Sequence, residues 1–243
     1  MGDHEALADR LEGQLAKAAA LRARSRADPK LAATRERLRE WQAGRLARTH
    51  ADLLESPRFG PSASFFLSDV YAAKDVGSRD DQIGRIIPTM LKLVPAGGLE
   101  VVADALELDA LSEDLDTAMA EVLRGSSTRL TAPAYGQAYR KVGRRSDRER
   151  QIDLVQHLGQ ALDHLTRKRF IGSALAVMRR PAKLAGFEDL QSFLERGYVA
   201  FRELGNADDF LEIVTSRERQ LLDALFACDD SLLDAVMSQP LAQ

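Results

Sequence analysis

Four histidines, one cysteine and two clusters of charged and aromatic residues are the groups with chemistry to offer in this 243-residue chain. His157 and His164 stand seven apart, with Asp153 and Asp163 close in sequence, and so share one helical face, an arrangement that invites a metal ion. Seven residues at about 1.5 Å of rise separate the rings by about 10 Å, whereas one metal needs its ligands within roughly 2 Å, so the pair is rejected as a shared site. Either imidazole alone would serve as the axial ligand of a haem in a helical pocket. An ordinary solvent-facing helical histidine is the simpler reading and ranks above it. No E-x-x-H pair occurs for a di-iron site, and Cys228, the single cysteine, leaves no intramolecular disulfide or thiolate zinc cage. No metal and no cofactor is expected.

The segment from Tyr135 to Arg150 sets Tyr139, Arg140, Lys141, Arg144, Arg145 and Arg148 around an expected helix start at Ser146. Guanidinium planes, stacking rings and free backbone N–H groups are what an anion or nucleic-acid surface requires. The plain alternative is an interhelical turn whose cations meet the acidic stretch 99–124, and the overall pI near 5.9 favours it. The second cluster is Asp69, Tyr71, Arg79, Asp80 and Arg85. It lies near Pro88, whose ring meets the carbonyl four residues back on Gly84, leaves it without a helical partner, and is expected to kink or break the helix. A hydrolase or transferase would need these side chains around a cleft; helix caps and ion pairs explain each of them as well. Signatures for a phosphate loop, a dinucleotide turn, a nucleophile elbow and an H-E-x-x-H zinc site are missing, so binding ranks above catalysis.

Helices are what the chain has to position these groups. Ala and Leu dominate and β-branched residues are scarce, which argues against a sheet. Leu7, Leu11, Leu15, Ala18 and Leu21 recur at helical spacing, and Asp28-Pro29 supplies an N-cap and a proline at the first position of a second helix. Residues 3–26 and 29–55 therefore read as a hairpin. Leu31, Leu38, Trp41 and Leu53 are expected to face the first helix, and Arg22, Arg24, Arg35, Arg37 and Arg39 to lie mostly in water. Ser56-Pro57 through Gly60-Pro61 breaks the pattern. Beyond it come a short apolar helix at 65–71, one capped by Ser78, an acidic helix at 99–124 and a shorter one at 133–142. A single long helix then opens on a Ser146–Glu149 capping box and runs to Pro181, and two more follow, ending near 228.

Charge is segregated along these elements. Net charge is +4 over residues 1–50, −1 over 51–98, −7 over 99–128, +9 over 129–183 and −8 over 184–243. Blocks of this kind either build an external field or pair with one another when the helices pack, and internal pairing is the preferred reading.

The run Phe65-Phe66-Leu67-Ser68-Asp69-Val70-Tyr71 resembles an uncharacterised family of bacterial helical proteins that share an FFL-x-D-x-Y stretch. Arg79-Asp80 with Pro88, Ala138-Tyr139-Arg140 and Leu190-Gln191-Ser192-Phe193-Leu194-Glu195 extend the likeness across residues 60–227. The resemblance implies a shared all-helical fold and a bacterial source and carries no catalytic role.

The expected molecule is all-α: an N-terminal hairpin (1–56), a core of six to eight helices (61–228) and a tail (229–243). No apolar run reaches the 18 residues of a spanning helix, and the opening MGDHEALADR offers neither a signal sequence nor a lipid-anchor motif, so no membrane association and a cytoplasmic location are expected. The function these features fit is a non-enzymatic protein-interaction or regulatory module, pairing with another protein or with itself as a homodimer through the hairpin. A haem or small-ligand sensor stands as one alternative, and anion or nucleic-acid binding through residues 135–150 as another.

Overall fold

The structure, a computed structural model, describes all residues except 1, 68–76, 95, 126–128 and 241–243. The fold is all-α. Among the described residues there are twelve helices and no strand. The helices are α1 (Gly2–Ala27), α2 (Pro29–Thr49), α3 (Ala51–Glu55), α4 (Gly60–Phe65), α5 (Gly77–Leu93) and α6 (Ala96–Leu123). They are followed by α7 (Ala132–Val142), α8 (Arg145–Thr166), α9 (Arg169–Leu184), α10 (Glu188–Leu204), α11 (Asp208–Phe226) and α12 (Ser231–Met237).

Local signals account for many boundaries. Asp28 caps α2, its carboxylate accepting from the backbone N–H of Lys30 at 3.1 Å and Leu31 at 3.2 Å. Thr131 caps α7 through the N–H of Ala134, and Gly143 ends it at φ 64°, a conformation a side chain would strain. Other boundaries differ from the sequence reading. The second helix is interrupted at His50. α4 ends at Phe65, where the short apolar helix was expected to begin, and its remainder at 68–71 lies outside the described residues. Pro88 sits inside α5 without breaking it, and Pro181 lies within α9 instead of stopping it. The Ser146–Glu149 capping box does not form: Arg144, in the left-handed region, occupies the cap position, and Glu149 accepts from Arg145 instead.

The expected 33-residue helix is two. Asp163 draws Arg167 back onto its carboxylate, the Thr166 hydroxyl donates to the Asp163 carbonyl at 2.9 Å, and Lys168 is extended. The chain thus turns and α9 folds back onto α10. Residues 229–243, read as a tail, contain α12, whose Leu233 is fully buried.

The acidic helix α6 is the axis of the fold. α1 runs beside it in the same sense, Arg10 meeting Asp104 and Arg24 meeting Glu121, while α8 runs antiparallel, Arg144 meeting Asp114 and Arg150 meeting Glu107. Leu11 of α1 and Ile87 of α5 close on Leu99, Ala103 and Leu106 of α6. Leu38 of α2 packs with Met119, Leu123, Tyr135, Leu221 and Leu233, and Trp41 stacks on Tyr135 at 4.2 Å, so Leu38 and Trp41 turn toward α6 and α7 instead of α1. A third apolar cluster joins Leu53, Phe65, Phe201 and Phe210 of α3, α4, α10 and α11.

Arg22 and Arg35, expected in water, are buried at 5% exposure each. Both reach Glu113, itself 3% exposed, and Arg39 joins them there while its Nε lies 3.2 Å from Asp116. The cause lies in the charge blocks: α6 carries carboxylates on the faces that α1, α2 and α8 cover, and those helices supply the cations.

Candidate functional site

The basic turn between α7 and α8 is built from the core outward. Tyr135 and Tyr139 point inward, Tyr139 packing on Phe226 at 5.4 Å and on Tyr135 at 5.8 Å. Burial pushes the Tyr139 hydroxyl well above the usual tyrosine range, so it is a neutral core group. Arg140 makes a bidentate pair with Asp230, at 2.6 and 3.1 Å. Arg144 holds Asp114 at 3.0 Å and Asp147 at 2.6 Å, and Arg145 holds Glu149 at 2.8 Å and also Asp223. Arg148 is buried with its guanidinium 3.6 Å from the centre of the Tyr139 ring, and its Nε and Nη2 have no hydrogen-bond partner among the described residues. Of the six candidate anion-binding residues, Lys141 and Arg145 are exposed, Arg140 and Arg144 are half-buried, and Tyr139 and Arg148 are buried. The structure therefore gathers all six, but as a joint between helices whose arginines face carboxylates or a ring.

Next to Tyr139 lies a group that sequence reasoning missed. Glu218 of α11 accepts from Arg45 at 2.5 Å and lies 3.2 Å from Nε2 of His50, both partners being buried. Burial alone would raise the Glu218 carboxyl, but the Arg45 charge and the His50 hydrogen bond outweigh it and hold the group down at about 2. His50, the residue at the break between α2 and α3, gave no periodic signal.

Most of the other predicted cluster lies outside the described residues. Asp69 and Tyr71 lie outside them, as do the side chains of Arg79 and Asp80, whose backbone forms the first turn of α5. Arg85 is exposed, with its guanidinium 5.3 Å from the centre of the Phe187 ring. His157 and His164 are both exposed, and His157 Nδ1 lies 3.0 Å from Asp104, so a haem held by either would sit on the surface and not in the helical core. No group of three metal-ligating side chains occurs among the described residues. A groove of about 280 Å3 between α8 and α11 is lined by Gln156, Gln160, Asp208, Glu212, Thr215 and Arg219, with Arg219 tied to Asp153 at 2.8 Å.

The most unusual surface is on α9. Ile171, Leu175 and Ala182 turn toward the body of the protein, and Gln191 of α10 anchors the pair by donating to the Leu175 carbonyl at 2.7 Å. Gly172 sits so close to Tyr198 that an added Cβ would fall 2.6 Å from its hydroxyl. On the other side of α9, Phe170, Val177, Met178 and Leu184 are 63, 73, 51 and 81% exposed. Together with Ala174 and Pro181 they recur at i, i+4, i+7, i+8, i+11 and i+14, one continuous apolar stripe open to solvent. Isolated exposed apolar side chains are ordinary; a contiguous row of them is not. Its period was readable in the sequence, yet only the turn at Arg167–Lys168 reveals that this face is left uncovered.

No helix among the described residues is long and apolar enough to cross a membrane. Comparisons with curated proteins and with solved structures find no match. A family match covers residues 21–231, which takes in most of the N-terminal hairpin that the sequence resemblance had left outside. The chain belongs to the family described as Domain of unknown function (DUF8198).

Proposed function

We propose that this chain is a non-enzymatic protein-interaction module whose docking face is the outer side of α9. The observation that carries this reading is the apolar stripe from Phe170 to Leu184, exposed on a helix that is itself fixed to α10. Exposing this much apolar surface is unfavourable by about 25 cal/mol per Å2, and a partner that covers it recovers that free energy. The basic turn at 135–150 fits nucleic acid less well, because Arg140, Arg144 and Arg145 already face carboxylates. Self-association through residues 1–56 has less free surface to work with, since α1 and α2 commit Arg22, Arg35 and Leu38 to α6 and its neighbours. A reducing cytoplasm, where Cys228 stays a thiol, is the compartment we assign.

The test compares three full-length baits in quantitative affinity purification from source cells: wild type, Val177→Asp/Leu184→Asp, and Glu36→Gln on the exposed side of α2 as control. The expected result is a set of proteins kept by wild type and Glu36→Gln and lost from the stripe variant. Recovery that does not depend on the stripe overturns the reading.

A further inference from the structure

We propose that the stripe on α9 takes an acidic amphipathic helix of a partner protein, an assignment that rests on the docking role of this face and names the chemistry of its occupant. Three features converge on it. Phe170 to Leu184 spans fifteen residues, about 21 Å of helix axis, and its anchor spacing is that of a helix-binding row. Small residues at Ala174 and at the flanking Ser173 let another backbone approach closely. The chain from 167 to 184 also carries Arg167, Lys168, Arg169, Arg179, Arg180 and Lys183 and no acidic residue.

Part of that charge is already engaged, but loosely. Arg167 pairs with Asp163 at 2.6 Å, Arg179 with Glu195 at 2.9 Å and Lys183 with Glu188 at 2.9 Å, and in each pair at least the cation is more than half exposed. Pairs of this kind contribute little and exchange readily for a partner's carboxylates. Lys168 and Arg180 are exposed, and neither pairs with a carboxylate among the described residues.

The same charges disfavour the competing occupants. A second copy docked about a two-fold axis would set one basic run against its own image, which is repulsive. An anionic lipid surface would meet Glu188 and Asp189, exposed at the Leu184 end of the stripe, as well as the cations. A helix, being narrow, lies along the stripe and aligns its acidic flank with Lys168 and Arg180 while clearing that acidic end.

The experiment uses the full chain and three synthetic three-heptad peptides followed by fluorescence anisotropy: leucine at the a and d positions with glutamate on the flanks, the same peptide with lysine in place of glutamate, and a scrambled glutamate peptide. The expected result is about tenfold or tighter binding of the patterned acidic peptide over the other two, a factor equivalent to about 1.4 kcal/mol. Val177→Asp/Leu184→Asp abolishes the preference and Arg180→Glu/Lys183→Glu shifts it toward the lysine peptide. Both variants change exposed side chains only, and circular dichroism with a thermal melt confirms that each remains folded. Equal binding of the acidic and lysine peptides, or no binding of the acidic one, overturns the assignment. So does stripe-dependent sedimentation with phosphatidylcholine–phosphatidylserine vesicles, or a stripe-dependent dimer in light scattering. Failure here with stripe-dependent partners still recovered from cells leaves the docking role standing and removes only the acidic helix; loss of stripe dependence in cells removes the docking role itself.

Discussion

Glu113→Gln is the sharpest probe of how the charge blocks are used. The wild-type carboxylate is 3% exposed and faces Arg22, Arg35 and Arg39 from two helices. Arg22 also has Asp109, and Arg39 also has Asp116, but Glu113 is the carboxylate of buried Arg35. Neutralising it strands a buried guanidinium, a change that typically costs about 3–5 kcal/mol. For a chain of this size each kcal/mol moves the melting temperature by about 2–4 °C, so a drop of about 6–20 °C is expected. Urea unfolding at neutral pH, followed by far-ultraviolet circular dichroism, gives the free energy directly. Neutral pH matters because the carboxyls around the site titrate with opposite signs. Burial alone would raise Glu113, but Arg39, Arg35 and Arg22 hold it below the ordinary carboxylate range, so its stabilisation is present above the unfolded value and lost as pH falls through the folded one. Burial pushes Asp109 and Asp116 up, so their contribution runs the other way, present at low pH and lost as pH rises through their folded values. A companion chain, Glu113→Leu with Arg35→Leu, removes both charges together and is expected within about 2 kcal/mol of wild type. A loss under about 1 kcal/mol in Glu113→Gln would refute the reasoning, because it would mean that water and not Glu113 balances Arg35.

Two further outcomes follow from other parts of the core. In Gly159→Ala the new Cβ would lie 2.3 Å from Leu211 Cδ2 at the crossing of α8 and α11, so a loss of about 1–3 kcal/mol is expected; adding Leu211→Ala should make the pair less than additive, and strict additivity in urea melts would count against the contact. Glu218, ordinarily near 4.5 and held at about 2 here, contributes about 3 kcal/mol that is fully present above pH 4.5 and lost as pH falls toward about 2. Glu218→Gln should therefore flatten that acid limb in a series of urea midpoints, and an unchanged limb would show that the Arg45–Glu218–His50 group does not set it.

The amino-acid order alone determined that the chain is helical, where α2 and α7 begin, and that its charge is blocked. Those are local properties: Asp28-Pro29 and Thr131 act within one turn, and apolar spacing is read along a single helix. It also held both halves of the internal pairing, the carboxylates of 99–128 and the cations of 1–50 and 129–183, without saying which would meet. Tertiary structure decided that. Arg22 and Arg35 looked like solvent-facing residues because burial of a charge depends on a partner about 80 to 90 positions away, and Arg148 left the expected basic surface because the Tyr139 ring was there to receive it. The same dependence governs the α9 stripe. Its spacing is written in the sequence, but a helix has two sides, and the fold-back at Arg167–Lys168 is what sets Leu175 against α10 and leaves Phe170, Val177 and Leu184 open to solvent.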